Sequence, residues 1–149
     1  MVKQHPFILQ AGTWLGEGKI TLSMMDAPLP FLTVWKVSAL SKKGQIDCLQ
    51  EIQIQGLADT MQNRFNLYHI ASRQFHIELA NQSFGKIIGE GLITDRMIGW
   101  EFRANSFGFE GFEFYETTSS LDTYLFHAEY ATEDDCRTVI HGHIKKKTK

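Results

Sequence analysis

Two carboxylates, Glu90 and Glu110, fall at apolar-face positions of strand-like segments and flank Trp100 when the turns between them are drawn tight. A carboxyl surrounded by aromatic rings is disfavoured in its charged form, so its pKa rises and it can hold or deliver a proton near neutrality. It can equally anchor a polar group on an otherwise apolar ligand. Trp14, Trp35, Trp100, Phe112 and Phe126 would supply contact area around such a pair, and Tyr124, Tyr130 and His69 polar contacts, with Gln50 and Asn63 behind them. The last hairpin carries a second group. His127 falls opposite His141, His143 lies two residues further on, and Glu129 shares their face. Imidazoles grouped with a carboxylate are donors for zinc or iron. Here the face they share is the outer one, where such histidines are ordinarily surface residues.

These residues need a scaffold, and the chain alternates apolar and polar residues with a period near two almost throughout. Strands are predicted at about Thr13–Met24, Phe31–Leu40, Ile46–Leu57, Asn63–Ile70, Gln74–Ala80, Phe84–Thr94, Met97–Arg103, Phe107–Thr117, Thr123–Thr132 and Cys136–Lys146. Leu57–Gln62 is read as a short helical turn. Short turn signals separate the strands, among them Asp95-Arg96, Asn105-Ser106, Ser119-Ser120 and Asp134-Asp135. Links this short join antiparallel neighbours. About ten strands in succession favour closure, which removes exposed edges. The expected fold is all-β, a single antiparallel up-and-down meander barrel spanning 1–149 as one domain, with a sandwich as the alternative. Glycines inside the strands (Gly16, Gly18, Gly85, Gly89, Gly91, Gly99 and Gly111) help a sheet bend.

Hairpin centres set the expected register. The Asp95-Arg96 turn places Glu90 opposite Trp100 and Leu92 opposite Ile98. Asn105-Ser106 places Trp100 opposite Glu110, and Ser119-Ser120 places Phe114 opposite Phe126 and Glu110 opposite Tyr130. Ile88, Leu92, Ile98, Trp100, Phe102, Phe112, Phe114, Tyr124, Phe126, Tyr130 and Ile140 then share the interior, with Trp14, Ile20, Leu22, Thr33, Trp35 and Val37 from the first hairpin and Phe65, Leu67, His69, Phe75, Ile77 and Leu79 from the middle. A slip of one residue in any hairpin inverts its faces.

With 149 residues, 43% hydrophobic and 21% charged, the chain has an ordinary globular composition. A net charge of −2 gives no general drive toward nucleic acid. The run Lys145-Lys146-Lys147-Thr148-Lys149 reads as a solvated end. No stretch is apolar enough for a secretion signal or membrane insertion, and two cysteines, Cys48 and Cys136, build neither a metal motif nor a disulfide framework. The expected location is cytoplasmic. No nucleophile elbow, phosphate loop or local Cys–His signature is present.

Gly12-Thr13-Trp14 with Gly16 and Gly18 resembles the opening of the calycin superfamily, the lipocalin-like and fatty-acid-binding barrels, in which this Trp plugs one barrel end. Together with Pro30-Phe31 it is similar to the nitrobindin branch, ten-stranded barrels that bind haem through a histidine near the C-terminus. That resemblance implies haem as a cofactor, with His141, His143 or His69 as iron ligand. The region before the closing strand, Thr132-Glu133-Asp134-Asp135-Cys136, holds no histidine. The link Met25–Pro30 is too short for the helical lid of fatty-acid-binding proteins, and the last strand has no Arg-x-Tyr pair for a fatty carboxylate. The leading expectation is binding of a small, largely hydrophobic molecule in the lumen. The alternatives are haem binding, lyase or isomerase chemistry on the Glu90–Glu110 pair, and an interaction module whose lumen is filled by its own side chains.

Overall fold

The computed structural model describes residues 5–81, 85–103, 108–132 and 137–148. Ten strands form: β1 Gly12–Leu22, β2 Leu29–Val37, β3 Ile46–Ile54, β4 Met61–Tyr68, β5 Gln74–Asn81, β6 Gly85–Ile93, β7 Met97–Phe102, β8 Glu110–Thr117, β9 Thr123–Ala131 and β10 Arg137–Lys146. Each pairs antiparallel with its sequence neighbours, and β1 pairs with β10, so the sheet is a closed up-and-down barrel. The segment 57–62 is not helical. Leu57 N–H bonds to the Ile54 carbonyl across a turn in which Gly56 takes φ 92°, and Met61 and Gln62 already belong to β4. The expected turns at Asn105-Ser106 and Asp134-Asp135, and Cys136, lie outside the described residues.

The register departs from expectation in β6 and β8. In the β6–β7 hairpin the Thr94 N–H bonds to the Met97 carbonyl, and the Thr94 hydroxyl accepts from the Met97 N–H. The turn at Asp95-Arg96 is where it was expected, but a two-residue turn there pairs Ile93 with Ile98 and so sets Glu90 opposite Glu101 rather than Trp100, which would require the centre on Asp95 alone. Across β7 and β8, Trp100 faces Glu113, and across β8 and β9, Phe114 faces His127. Each shift is an odd number of residues, so the faces invert. Ile87, Gly89, Gly91 and Ile93 point inward from β6, where Ile88, Glu90 and Leu92 were expected. Glu113 and Tyr115 point inward from β8, where Glu110, Phe112 and Phe114 were expected.

The inversion gives three of the glycines a packing role. A Cβ on Gly91 would sit 2.1 Å from the Phe75 ring, and one on Gly111 would sit 2.4 Å from the Tyr130 ring. These glycines, with Gly89 beneath Phe102, are seats for aromatic side chains.

One end of the barrel is closed by the chain that precedes β1. Phe7 and Ile8 are fully buried. The Phe7 ring meets Trp14 and Trp35 edge-on at 5.4 and 5.3 Å and packs against Tyr115 at 4.4 Å, geometries that favour aromatic pairs. His5 is buried as well. Its Nε2 donates to the Thr94 carbonyl at 2.5 Å, which leaves Nδ1 to accept from the Tyr124 hydroxyl at 2.9 Å. Trp14 does lie at this end, as the calycin resemblance implies, but Phe7 and Ile8 complete the plug. Ile8 holds φ 66°, a left-handed backbone that a β-branched residue adopts only under constraint.

Gly91→Ala should cost about 1–3 kcal/mol through overpacking against Phe75. Urea denaturation measures it. With Gly91 facing solvent the cost would vanish, and the register described here would be wrong.

Candidate functional site

The opposite end is packed less tightly among the described residues. Leu22, Leu29, Ile52 and Ile140 line it as half-buried apolar side chains, and Phe109 stacks on Tyr130 with ring centroids 5.0 Å apart. A cleft of about 600 Å³ lies where β7 and β9 end and β8 and β10 begin. Phe102, Gly111, Tyr130 and Thr138 line it from the inner face of the sheet, while Glu101, Arg103, Glu110, Phe112, Glu129, Ala131, Arg137 and Val139 line it from the outer face and the strand ends. Arg103 is held by Glu101 at 2.9 Å.

Inside the barrel lies Glu113, 7% exposed, linked to the cleft through Tyr130. Alternation along β8 directs it inward between Gly111 and Tyr115. The Tyr130 hydroxyl donates to Oε1 at 2.6 Å and the Tyr115 hydroxyl donates to Oε2. Among the described residues no lysine or arginine forms an ion pair with it. Burial pushes the Glu113 carboxyl above its ordinary value, and the two phenol hydrogen bonds, which favour the carboxylate, do not offset it. Burial, with the Glu113 charge next, raises both phenols. The indoles of Trp35 and Trp100 lie toward Tyr115 and Tyr130 and oppose that rise. Neither reaches hydrogen-bond geometry, so the Nε1–H groups of Trp14, Trp35 and Trp100 are buried and unpaired. Buried donors without acceptors are costly and uncommon.

The facing wall carries an amide ladder across β2 to β5. Thr33 donates to the Glu51 carbonyl, Gln50 to Thr33 at 3.2 Å, Asn63 to Gln50 at 3.1 Å and Asn81 to Asn63 at 3.2 Å. The lumen thus has one satisfied polar wall and, across from it, an acid and two phenols near unpaired indoles.

Of the residues singled out from sequence, Trp14, Trp35, Trp100, Tyr124, Phe126 and Tyr130 face the interior. Glu90, Glu110 and Phe112 face outward, because the β6–β7 and β8–β9 registers each differ by one residue from expectation. His69 is also outside. Its φ of 49° breaks the alternation that would have carried it inward after Phe65 and Leu67. Sequence reasoning missed Glu113, Tyr115 and the His5–Phe7 plug. The available signal was Gly111, which has to sit under a ring and so fixes the inner face of β8.

His127, His141 and His143 lie on the outer face as expected, with His127 paired to His141. They do not converge. His127 sits 2.8 Å from Glu129, and His143 sits 3.5 Å from Glu17. Among the described residues no group of three or more His, Cys, Asp or Glu side chains is placed to hold a metal. The histidines do not fit a lumenal haem either. His69, His141 and His143 all project outside the barrel, and both His5 nitrogens are already bonded. Cys48 is buried and its thiol is pushed well up by that burial, which makes it inert.

No family model and no curated protein matches the chain. Among solved structures it is similar to an S-type phycobiliprotein lyase from Guillardia theta, with TM-score 0.67 and 8% identity over 93% of this chain and 89% of that one. It is also similar to a protein of unknown function from Nostoc punctiforme, with TM-score 0.61 and 11% identity. That match covers 99% of this chain, which spans about half, 51%, of the Nostoc protein. At such identities these likenesses show the fold alone, a closed antiparallel β-barrel.

The raised Glu113 pKa makes a signed prediction. A carboxyl whose folded pKa lies above its unfolded value contributes stability below the unfolded value and loses it as pH climbs through the folded one. Urea denaturation between about pH 4 and pH 8 should show Glu113→Gln gaining on the parent protein as pH rises. Parallel pH profiles would refute the assignment.

Proposed function

We propose that this barrel binds a small, largely hydrophobic molecule that enters from the end opposite the Phe7 plug and sets a polar group against Tyr130 and Glu113. The observation that carries this reading is a buried carboxyl with no cationic partner among the described residues, bonded to a tyrosine that itself lines a cleft of about 600 Å³. A buried acid of this kind lowers stability relative to an apolar side chain of the same shape. Its bond to Tyr130, which does line the cleft, points to recognition.

The half-buried apolar side chains at that end suit the body of such a ligand, and the unpaired Trp100 N–H is a donor for an acceptor on it. Three glutamates against two arginines lining the cleft leave no basic patch for phosphate, so the partner is a small molecule rather than nucleic acid. No helix among the described residues is long and apolar enough to cross a membrane. A structural neighbour named as a phycobiliprotein lyase supports ligand handling by a barrel of this shape. We place the protein in the cytoplasm.

The test is titration with a panel of neutral and charged apolar fluorophores, read by probe emission and by quenching of tryptophan, with native mass spectrometry of the untagged protein beside it. Saturable binding should weaken about five- to tenfold in Tyr130→Phe, the loss of one hydrogen bond to a charged or polar partner. Glu90→Gln, on the outer wall, should leave it unchanged. No saturable probe together with a bare native mass would overturn the reading in favour of a filled barrel.

A further inference from the structure

We propose that His69 and His76, with Glu90 as third donor, form a site for a divalent transition-metal ion of the zinc–copper class on the outer wall of the barrel. His76 faces outward between the inward Phe75 and Ile77. His69 follows β4 and by alternation would enter the lumen. Its left-handed backbone instead brings the ring round to the outside, beside His76. The two Nδ1 atoms are 3.3 Å apart, and the ring centroids are 5.1 Å apart with the planes at 84°.

These distances are those of a chelating pair. Two imidazole nitrogens bound tetrahedrally to one ion at about 2.05 Å lie roughly 3.3 Å from each other, with ring centroids about 5.2 Å apart. An in-line N–H···N hydrogen bond prefers about 2.9 to 3.0 Å, and stretched to this separation it would hold the centroids about 5.6 Å apart. The separation of nitrogens and of ring centroids is thus compatible with one ion shared between the two rings. Tyr68 contacts both rings, stacked on His76 at 5.4 Å and edge-on to His69 at 4.9 Å.

The ladder places Glu90 directly opposite His76 on the same outer face, where side chains of antiparallel partners start about 5 Å apart. Glu90 is exposed and belongs to no ion pair among the described residues. As the side chains stand, no third donor among the described residues converges on the pair; Glu90 would have to turn to another rotamer on metal binding to join the two imidazoles, with water in the fourth position. That donor set suits zinc(II), copper(II) or nickel(II) and not calcium or magnesium. Binding would tie the β4–β5 turn to β6 across the outside of the Gly91–Phe75 seat, and so stabilise the fold by mass action. The site is separate from the lumen and stands independently of the binding function proposed above.

The experiment is a titration of untagged protein with zinc chloride and with copper(II) chloride, followed by calorimetry and by the histidine side-chain resonances. One ion per chain is expected, with His69 and His76 the resonances that move. His76→Gln should weaken zinc at least tenfold. So should His69→Asn, since Asn tolerates the left-handed backbone and keeps the turn. Glu90→Gln should weaken it less, and magnesium should not compete. His127→Gln with His143→Gln serves as the control and should leave binding intact. Absence of binding, equal affinity in His76→Gln and the parent protein, or loss of the ion in the control variant would overturn the proposal.

Discussion

Nine consecutive residue pairs, from Trp14 opposite Lys146 to Leu22 opposite Thr138, close β1 onto β10 and give the sheet an inside. Every other feature of the molecule follows from that closure. An open sheet tolerates a mixed face, because an awkward side chain can lean past an edge. In a closed barrel of this width the inward side chains of all strands compete for one volume, so each large ring requires a small partner. Phe75 requires Gly91, Tyr130 requires Gly111 and Phe102 requires Gly89. Closure therefore selects the register, and the register selects which carboxylate is buried.

Closure also makes the two ends unequal. At one end Phe7 fits among Trp14, Trp35, Tyr115 and Tyr124, and His5 ties the plug to Thr94 and Tyr124. That end is packed with aromatic contacts and supplies stability. At the other end the inward side chains are half-buried aliphatics and a Phe109–Tyr130 stack. Sites that admit a ligand are drawn from the less tightly packed part of a fold. The buried Glu113, costly in isolation, lies between the two: its Tyr115 bond reaches toward the plugged end and its Tyr130 bond toward the cleft.

The ten strands were legible in the chain because turn residues punctuate a period-two pattern, and because links of a few residues leave little choice but antiparallel neighbours. The face of β8 was not legible. Phe112 and Phe114 stand on one side and Tyr115 on the other, so apolarity alone cannot say which side is wet, and a glutamate at 110 or 113 is equally available for burial. The decision comes from neighbours three strands long, through Gly111 under Tyr130 and Trp100 opposite Glu113. Nine of the aromatic positions expected inside are there, namely Trp14, Trp35, Phe65, Phe75, Trp100, Phe102, Tyr124, Phe126 and Tyr130, while Phe112 and Phe114 are not. The plug escaped notice for a different reason. His5 to Leu9 has no periodicity to read, and its burial depends wholly on the cavity the barrel presents to it.

His69 shows the limit of alternation most directly. Period two holds only while the backbone stays extended, and a single residue at φ 49° reverses the side on which a chain continues. The same residue that sequence assigns to the lumen therefore lies outside, 3.3 Å from a second imidazole with which it has no obvious relation in sequence. Glu90 lies outside for a different cause: the two-residue turn at Asp95-Arg96 pairs it with Glu101, and on its other side it lies opposite that second imidazole. Two independent departures from the simple pattern thus converge on one patch. A left-handed non-glycine residue costs on the order of 1–2 kcal/mol and persists only where its surroundings hold it. At His69 the surroundings are the Tyr68 ring, edge-on at 4.9 Å, and the His76 imidazole, whose Nδ1 lies 3.3 Å away.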